Sequence, residues 1–265
     1  MRRAHRVRSL DAMRGYDERS YGDGFADVYD EWYADVTDVD ATVARMRSLA
    51  GPGGRVLELG VGTGRLAVPM AAAGLQVVGI DSSEAMLDRL TERDVTSGVT
   101  AIRGDMVDDL PDGPFDAALV AYNTIFNLLD ETTQQRCFDE VAARLRPGGS
   151  FVVEAFVPDA ERRARPTSDV SVRTLAVDHV VLSVSVDDPD NQRAEGQFVV
   201  ISEEGGVRLR PWAIRWATPG QLDEMADRAG LTLAERCSDM AGAGFDDDSP
   251  QHVSVYTKPG AADGQ

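Results

Sequence analysis

The 265-residue chain is 43% hydrophobic and 27% charged, the balance of a globular protein that can bury one sizeable core with room for an insertion. A formal net charge of -18 argues against a nucleic-acid partner, because phosphate binding runs on Lys and Arg. No apolar run reaches signal-peptide or membrane-spanning length, so a cytoplasmic chain with no membrane partner is expected.

Residues 1–20 show no hydrophobic period and are expected to form a flexible arm, with Arg2, Arg3, Arg6 and Arg8 solvated. From Phe25 to Leu49 apolar residues recur at three- and four-residue steps, which predicts two helices broken near residues 35–38. Beyond Gly51-Pro52-Gly53-Gly54, strands are expected at 55–59, 76–80, 100–103, 115–121 and 150–155, with helices at 64–73, 83–91 and 131–145. Strands and helices alternating in this rhythm imply an α/β core, a parallel sheet covered by helices on both faces. The rhythm changes after Pro158, where 170–175, 179–186, 197–201 and 207–216 read as four strands without helices between them, an antiparallel insertion. A helix at 219–229, stopped by Gly230, and strands at 232–237 and 252–258 close the core, and the tail 261–265 is expected to be disordered. The domain reading is thus an arm (1–20), a core with N-terminal helices (21–156), the insertion (157–217) and a closing unit (218–260). Of the two cysteines, Cys137 falls in a helical pattern and Cys237 in a strand; neither has metal-ligand spacing, and both are expected as buried thiols.

The strand Val56-Leu57-Glu58-Leu59 runs into Gly60-Val61-Gly62-Thr63-Gly64 and then a helix. Glycines suit a tight turn whose backbone N–H groups a ligand must approach. A dinucleotide fingerprint needs a glycine at position 65, where Arg65 stands. The spacing G-x-G-x-G with Glu58 two residues upstream instead resembles the class I S-adenosylmethionine-dependent methyltransferases. That resemblance implies a Rossmann-like, doubly wound seven-stranded sheet with an antiparallel last strand, S-adenosyl-L-methionine as cofactor and S-adenosyl-L-homocysteine as product. It also implies that Gly60, Gly62 and Gly64 shape the turn against the methionine portion while Glu58 receives its ammonium region.

Asp81, at the tip of the second strand, is placed to hold both ribose hydroxyls, and Ser82 follows it. In the family Met86 lies against the adenine, and Gly104-Asp105-Met106 matches a step in which the acid takes the adenine amino group. The alternatives to these roles are a turn cap for Asp105, which its place at the tip of the third strand disfavours, and a core position for Met86. The segment Leu145-Arg146-Pro147-Gly148-Gly149 resembles another family hallmark, expected to end a helix and turn the chain into the sheet.

The insertion leaves from a strand tip on the ligand side and is expected to act as a lid over the substrate. Asp27-Val28-Tyr29-Asp30-Glu31-Trp32-Tyr33 resembles the opening of the aminosugar N,N-dimethyltransferases of macrolide biosynthesis, which implies that Tyr33 touches the cofactor region. Just after it, Ala34-Asp35-Val36-Thr37 replaces a basic stretch of those enzymes. Ala121 is also placed at the cofactor, and Tyr122 and Asn123 where they orient a nucleophile. His252 is the best-placed general base, with Glu154 second. No metal is expected; Asp246-Asp247-Asp248 reads as a solvated turn. The expected activity is N-methylation of a small molecule or short modified peptide. The alternatives left open are O-methylation with His252 as base, an NAD(P)-dependent oxidoreductase, and an inactive binding module on the same fold; a homodimer is left open as well.

Overall fold

The computed structural model describes residues 13–34, 36–94, 98–159 and 166–260. The basic cluster before residue 9 and the tail 261–265 lie outside them.

Short, largely apolar runs build the central sheet. Its strands are β1 (Arg55–Leu59), β2 (Gln76–Asp81), β3 (Val99–Arg103), β4 (Phe115–Val120), β5 (Leu145–Phe156), and, after an insertion, β10 (Thr232–Cys237) and β11 (Gln251–Thr257). Their order is β10-β11-β5-β4-β1-β2-β3. β1 to β5 pair in parallel, and β11 runs antiparallel between β5 and β10. This is the Rossmann-like seven-stranded sheet with an antiparallel last strand. The residues Leu145 to Gly149 follow a helix that stops at Arg144, as expected, and already belong to β5, whose pairing with β4 shifts register there.

Helices cover both faces: α3 (Val39–Ala50), α4 (Ala67–Ala72) and α5 (Glu84–Arg93), then α6 (Glu131–Arg144) and α7 (Pro219–Arg228). Their starts follow local chemistry. Asp38, Ser83 and Asp130 each accept a backbone N–H of the first turn, and Thr218 with Gln221 forms a reciprocal capping pair before Pro219. Between the helices, β4 and β5 are buried almost end to end, as central parallel strands must be. Cys137 and Cys237 are free and buried, and burial pushes the Cys137 thiol up to about 12.

The insertion is a separate four-stranded antiparallel sheet, β6 (Thr167–Leu175), β7 (His179–Asp188), β8 (Arg193–Ser202) and β9 (Gly206–Arg215), in the order of the chain. Against it lie α1 (Ser20–Phe25) and α2 (Tyr29–Trp32). The N-terminal helical region therefore begins five residues before Phe25. Residues 13–19, placed by the sequence in the arm, are held by the insertion: Met13 N donates to Glu195 Oε2 at 3.0 Å. No helix among the described residues is long and apolar enough to cross a membrane.

Candidate functional site

Immediately after β1 the chain turns through Gly60 (φ 66°), Gly62 (φ 55°) and Gly64 (φ 73°), a left-handed backbone that disfavours any side chain. A Cβ on Gly60 would stand 2.4 Å from Thr124 Cγ2, so this glycine keeps the mouth of the turn open. Gly64 serves packing, with Leu90 Cγ 2.9 Å from where its Cβ would lie. Asp81, at the tip of β2, accepts from Gly62 N and from Ser83 N, each at 2.9 Å. Burial raises its carboxyl above the usual range while those two N–H groups oppose the shift.

The turn opens on a cleft of about 350 Å³. Gly60, Gly62, Asp81, Ser82, Met86, Asp105 and Met106 all line it. Asp105 combines two tasks: it faces the cleft, and its Oδ1 caps a turn by accepting from Val107 N at 2.8 Å and Asp108 N at 2.9 Å. The far wall is the segment Thr124 to Leu129 with Thr133. Its roof is the stretch Tyr16 to Gly22, which the sequence reading left in the arm or unassigned. Gly22 explains the gap. A Cβ there would fall 2.4 Å from Ser83 Cβ, so the close approach of α1 to α5 demands the residue that interrupts the apolar period. Polar contacts hold the roof down. Ser83 Oγ donates to Asp23 Oδ1 at 2.6 Å, Ser82 Oγ to Glu18 O at 2.9 Å, and Thr63 Oγ1 to Asp30 Oδ1 at 2.6 Å.

Next to the cleft, and sharing Gly60, Tyr29 and Thr124 with it, lies a smaller cavity lined also by Glu58, Arg65, Ala121 and Tyr122. Glu58 Oε2, Arg65 Nε and Arg65 Nη1 are buried there without a hydrogen-bond partner. Orphaned charged groups inside a protein are expensive unless a ligand completes them. Burial drives the Glu58 carboxyl up to about 8, with the Arg65 guanidinium pulling in the opposite direction. A carboxyl and a guanidinium with orphaned polar atoms facing one small space fit an amino-acid zwitterion, and the adjoining cleft with Asp81 and Asp105 fits a nucleoside. S-adenosylmethionine is a nucleoside carrying that zwitterion, so these residues fit it. Sequence reasoning missed Arg65 as a site residue, since it noted only that a glycine was absent.

Tyr33 lies behind this cavity, its ring 4.9 Å from Tyr29 and 5.6 Å from Tyr122. Tyr122 (φ 44°) and Asn123 (φ 66°) turn the tip of β4 through a strained backbone. Tyr122 faces the cavity, and Asn123 latches β4 to β5: its Oδ1 accepts from Phe156 N at 2.7 Å and its N donates to Glu154 O at 3.0 Å. Glu154 is buried and spends Oε2 on Tyr122 N at 2.9 Å. His252 lines neither cavity. The alternation of β11 turns His252, Ser254 and Tyr256 towards α7, where Tyr256 Oη donates to Asp223 Oδ1 at 2.9 Å. The His252 ring is wholly buried with Nδ1 2.8 Å from Ser254 Oγ, and burial lowers its pKa to about 4. Asp246 is occupied within its turn, accepting from Asp248 N at 3.1 Å and Ser249 Oγ at 2.9 Å.

Comparison with known proteins agrees with this geometry. A family described as a methyltransferase domain matches residues 56–149. The solved structure of the CcbJ methyltransferase from Streptomyces caelestis is 40% identical with a TM-score of 0.83, covering 93% of this chain and 100% of that one. The cypemycin N-terminal methyltransferase of a Streptomyces species is 29% identical over 192 residues, 72% of this chain and 77% of that protein. The S-adenosylmethionine-bound structure of CalS10, an amino pentose methyltransferase from Micromonospora echinaspora involved in calicheamicin biosynthesis, shares the fold at 21% identity and a TM-score of 0.63, over 87% of this chain and 96% of that one. With the fold, the orphaned zwitterion cavity and these likenesses on one chain, it belongs to the S-adenosylmethionine-dependent methyltransferases.

Proposed function

We propose that this enzyme transfers its methyl group to an amine nitrogen of a small natural product or short modified peptide, within secondary metabolism and in the cytoplasm. The observation that carries this reading is the state of the candidate bases. Burial pushes the Tyr29 phenol up to about 12 and raises that of Tyr122, so neither is a phenolate near neutral pH. Glu154 is tied to a backbone N–H, and His252 is walled off from the cavity. A hydroxyl acceptor needs a base to take its proton, whereas a neutral amine attacks with its own lone pair. Likeness to an N-terminal methyltransferase of cypemycin and to an amino pentose methyltransferase supports the same direction.

The bound cofactor supplies an electrophilic methyl on its sulfonium, and transfer is an in-line displacement. The chain's work is then positional. Glu58 and Arg65 would hold the amino-acid end and Asp81 and Asp105 the nucleoside end, in a cleft that Met86 and Met106 also line. Tyr29 and Tyr122 line the smaller cavity with Tyr33 packed behind them, an aromatic wall that would keep water from the line of attack. The face of the insertion carrying Phe198 and Trp212 packs towards α1 and α2 and would bound the acceptor.

The test is incubation with methyl-labelled cofactor and a panel of amine, phenol and hydroxyl natural products, with magnetic resonance of the product locating the label. A labelled N-methyl is expected; exclusive labelling of oxygen refutes the proposal.

A further inference from the structure

Arg173 stands out of register in β6. The ladder with β7 pairs Val172 with Leu182 and then Thr174 with Val181, so Arg173 is an extra residue, a β-bulge. Bulges bend a strand and re-aim a side chain, and this one sends Arg173 to the face that carries Phe198. There its guanidinium lies 4.7 Å from the centre of the Trp32 ring, 5.0 Å from that of Phe198 and 5.7 Å from that of Tyr33. Its Nη2 donates to Trp32 O at 3.3 Å. A long, rotamer-rich side chain is thereby held by three rings before any ligand arrives.

The charge it carries is not spent on the protein. Arg208 and Arg210, which also reach towards α1 and α2 from this sheet, both pair with Asp27, at 2.7 Å and 2.6 Å. Arg173 pairs with no carboxylate among the described residues, although the chain has 45 acidic residues to 27 basic ones. Tyr33 connects it to the cofactor side, since that ring packs 5.6 Å from Tyr122, which lines the smaller cavity. Burial raises the Tyr122 phenol, and the charge of Arg173 reaches far enough to oppose the rise.

We propose that Arg173 binds a carboxylate of the methyl acceptor, which makes the acceptor an amine that also bears a carboxylate, as amino acids and peptide-derived products do. A guanidinium held by its faces keeps its N–H edge for a ligand, and a carboxylate matches that planar fork with two parallel bonds. One free cation suits one negative charge. A diphosphate would call for further Lys or Arg, and the two arginines beside this one are already paired. The inference deepens the proposed function and rests on its reading that the Phe198 face of the insertion bounds the acceptor.

Fluorine magnetic resonance on the full chain, saturated with S-adenosylhomocysteine so that Arg65 is occupied, tests it with 4-fluorobenzoate and its uncharged twin 4-fluorobenzamide as probes. The benzoate is expected to bind in the millimolar range and the benzamide at least tenfold more weakly. R173Q, at an exposed position, should weaken the benzoate about tenfold and leave the affinity for S-adenosylhomocysteine unchanged. R173K keeps the charge and should stay within about threefold of the wild type. Absence of benzoate binding to the wild type, equal binding of the two probes, or an affinity that R173Q leaves intact overturns the inference. The benzoate result says nothing of which atom is methylated, and an O-methylated product leaves the carboxylate site intact, so the two readings fail separately.

Discussion

Glu58 offers a prediction whose size follows from the structure. Its carboxyl rises from an ordinary value of 4.5 to about 8 because it is buried, with Oε2 unpaired. Binding the ammonium of the cofactor requires the ionised form. At pH 6 about one free chain in a hundred has Glu58 ionised, and at pH 8 about half do, because each pH unit below the pKa is a factor of ten. The affinity for S-adenosylhomocysteine, which bears the ammonium without the sulfonium, should therefore fall about 50-fold from pH 8 to pH 6, roughly 2.3 kcal/mol. Binding at pH 7 should release about 0.9 proton. Titration calorimetry at several pH values, in buffers of different ionisation enthalpy, reads both quantities. E58Q should bind more weakly at pH 8 and lose the slope. The sign for stability follows as well. A carboxyl raised on folding favours the folded chain below its unfolded pKa, and that contribution is lost as pH climbs from about 4.5 to about 8. An affinity flat between pH 6 and pH 8, or a slope that survives E58Q, would refute the reasoning.

Other substitutions separate the roles of neighbouring residues. G60A forces a Cβ to 2.4 Å from Thr124 Cγ2 at a left-handed φ, so cofactor affinity measured by calorimetry should drop at least tenfold. R65M removes the cation facing the zwitterion and should weaken S-adenosylhomocysteine by about 2 kcal/mol while barely affecting adenosine, which has no carboxylate. H252Q should leave kcat within about threefold, because the ring lies outside both cavities; loss of all turnover in a folded variant would return His252 to the chemistry. D27N leaves Arg210 buried beside a neutral partner and should lower stability by about 1–3 kcal/mol in denaturant unfolding, more than an exposed ion pair would.

The parts of the site that were readable in advance sit at strand tips. Glu58, the three glycines, Asp81 and Asp105 each follow an apolar run whose end is visible in one dimension, and the parallel sheet gathers those ends. What escaped depends on contacts between distant segments. The roof from Tyr16 to Gly22 was hidden because Gly22 and Gly24 interrupt the apolar period, and Gly22 earns its place only against Ser83, sixty-one residues away in sequence. The signal was nevertheless present, as Tyr21 and Phe25 stand one helical turn apart and extend the stripe upstream of the predicted start. Arg65 escaped since its importance is an unmet hydrogen-bonding need, which no spacing reveals. The orientations of His252 and Asn123 were hidden for a related reason: position at a strand end does not say which way a side chain turns, and β11 turns one towards α7 while Phe156 N bonds the other.

Arg210 joins two coverings that the chain keeps far apart in sequence. It is gripped by Asp27 and by Gly24 O at the end of α1, and it stands in β9 of the insertion. The flap above the nucleoside and the wall beside the acceptor are thereby fastened into one piece. Loading the nucleoside site should consequently slow amide exchange along β9 as well as α1, so that the first ligand to arrive shapes the berth of the second.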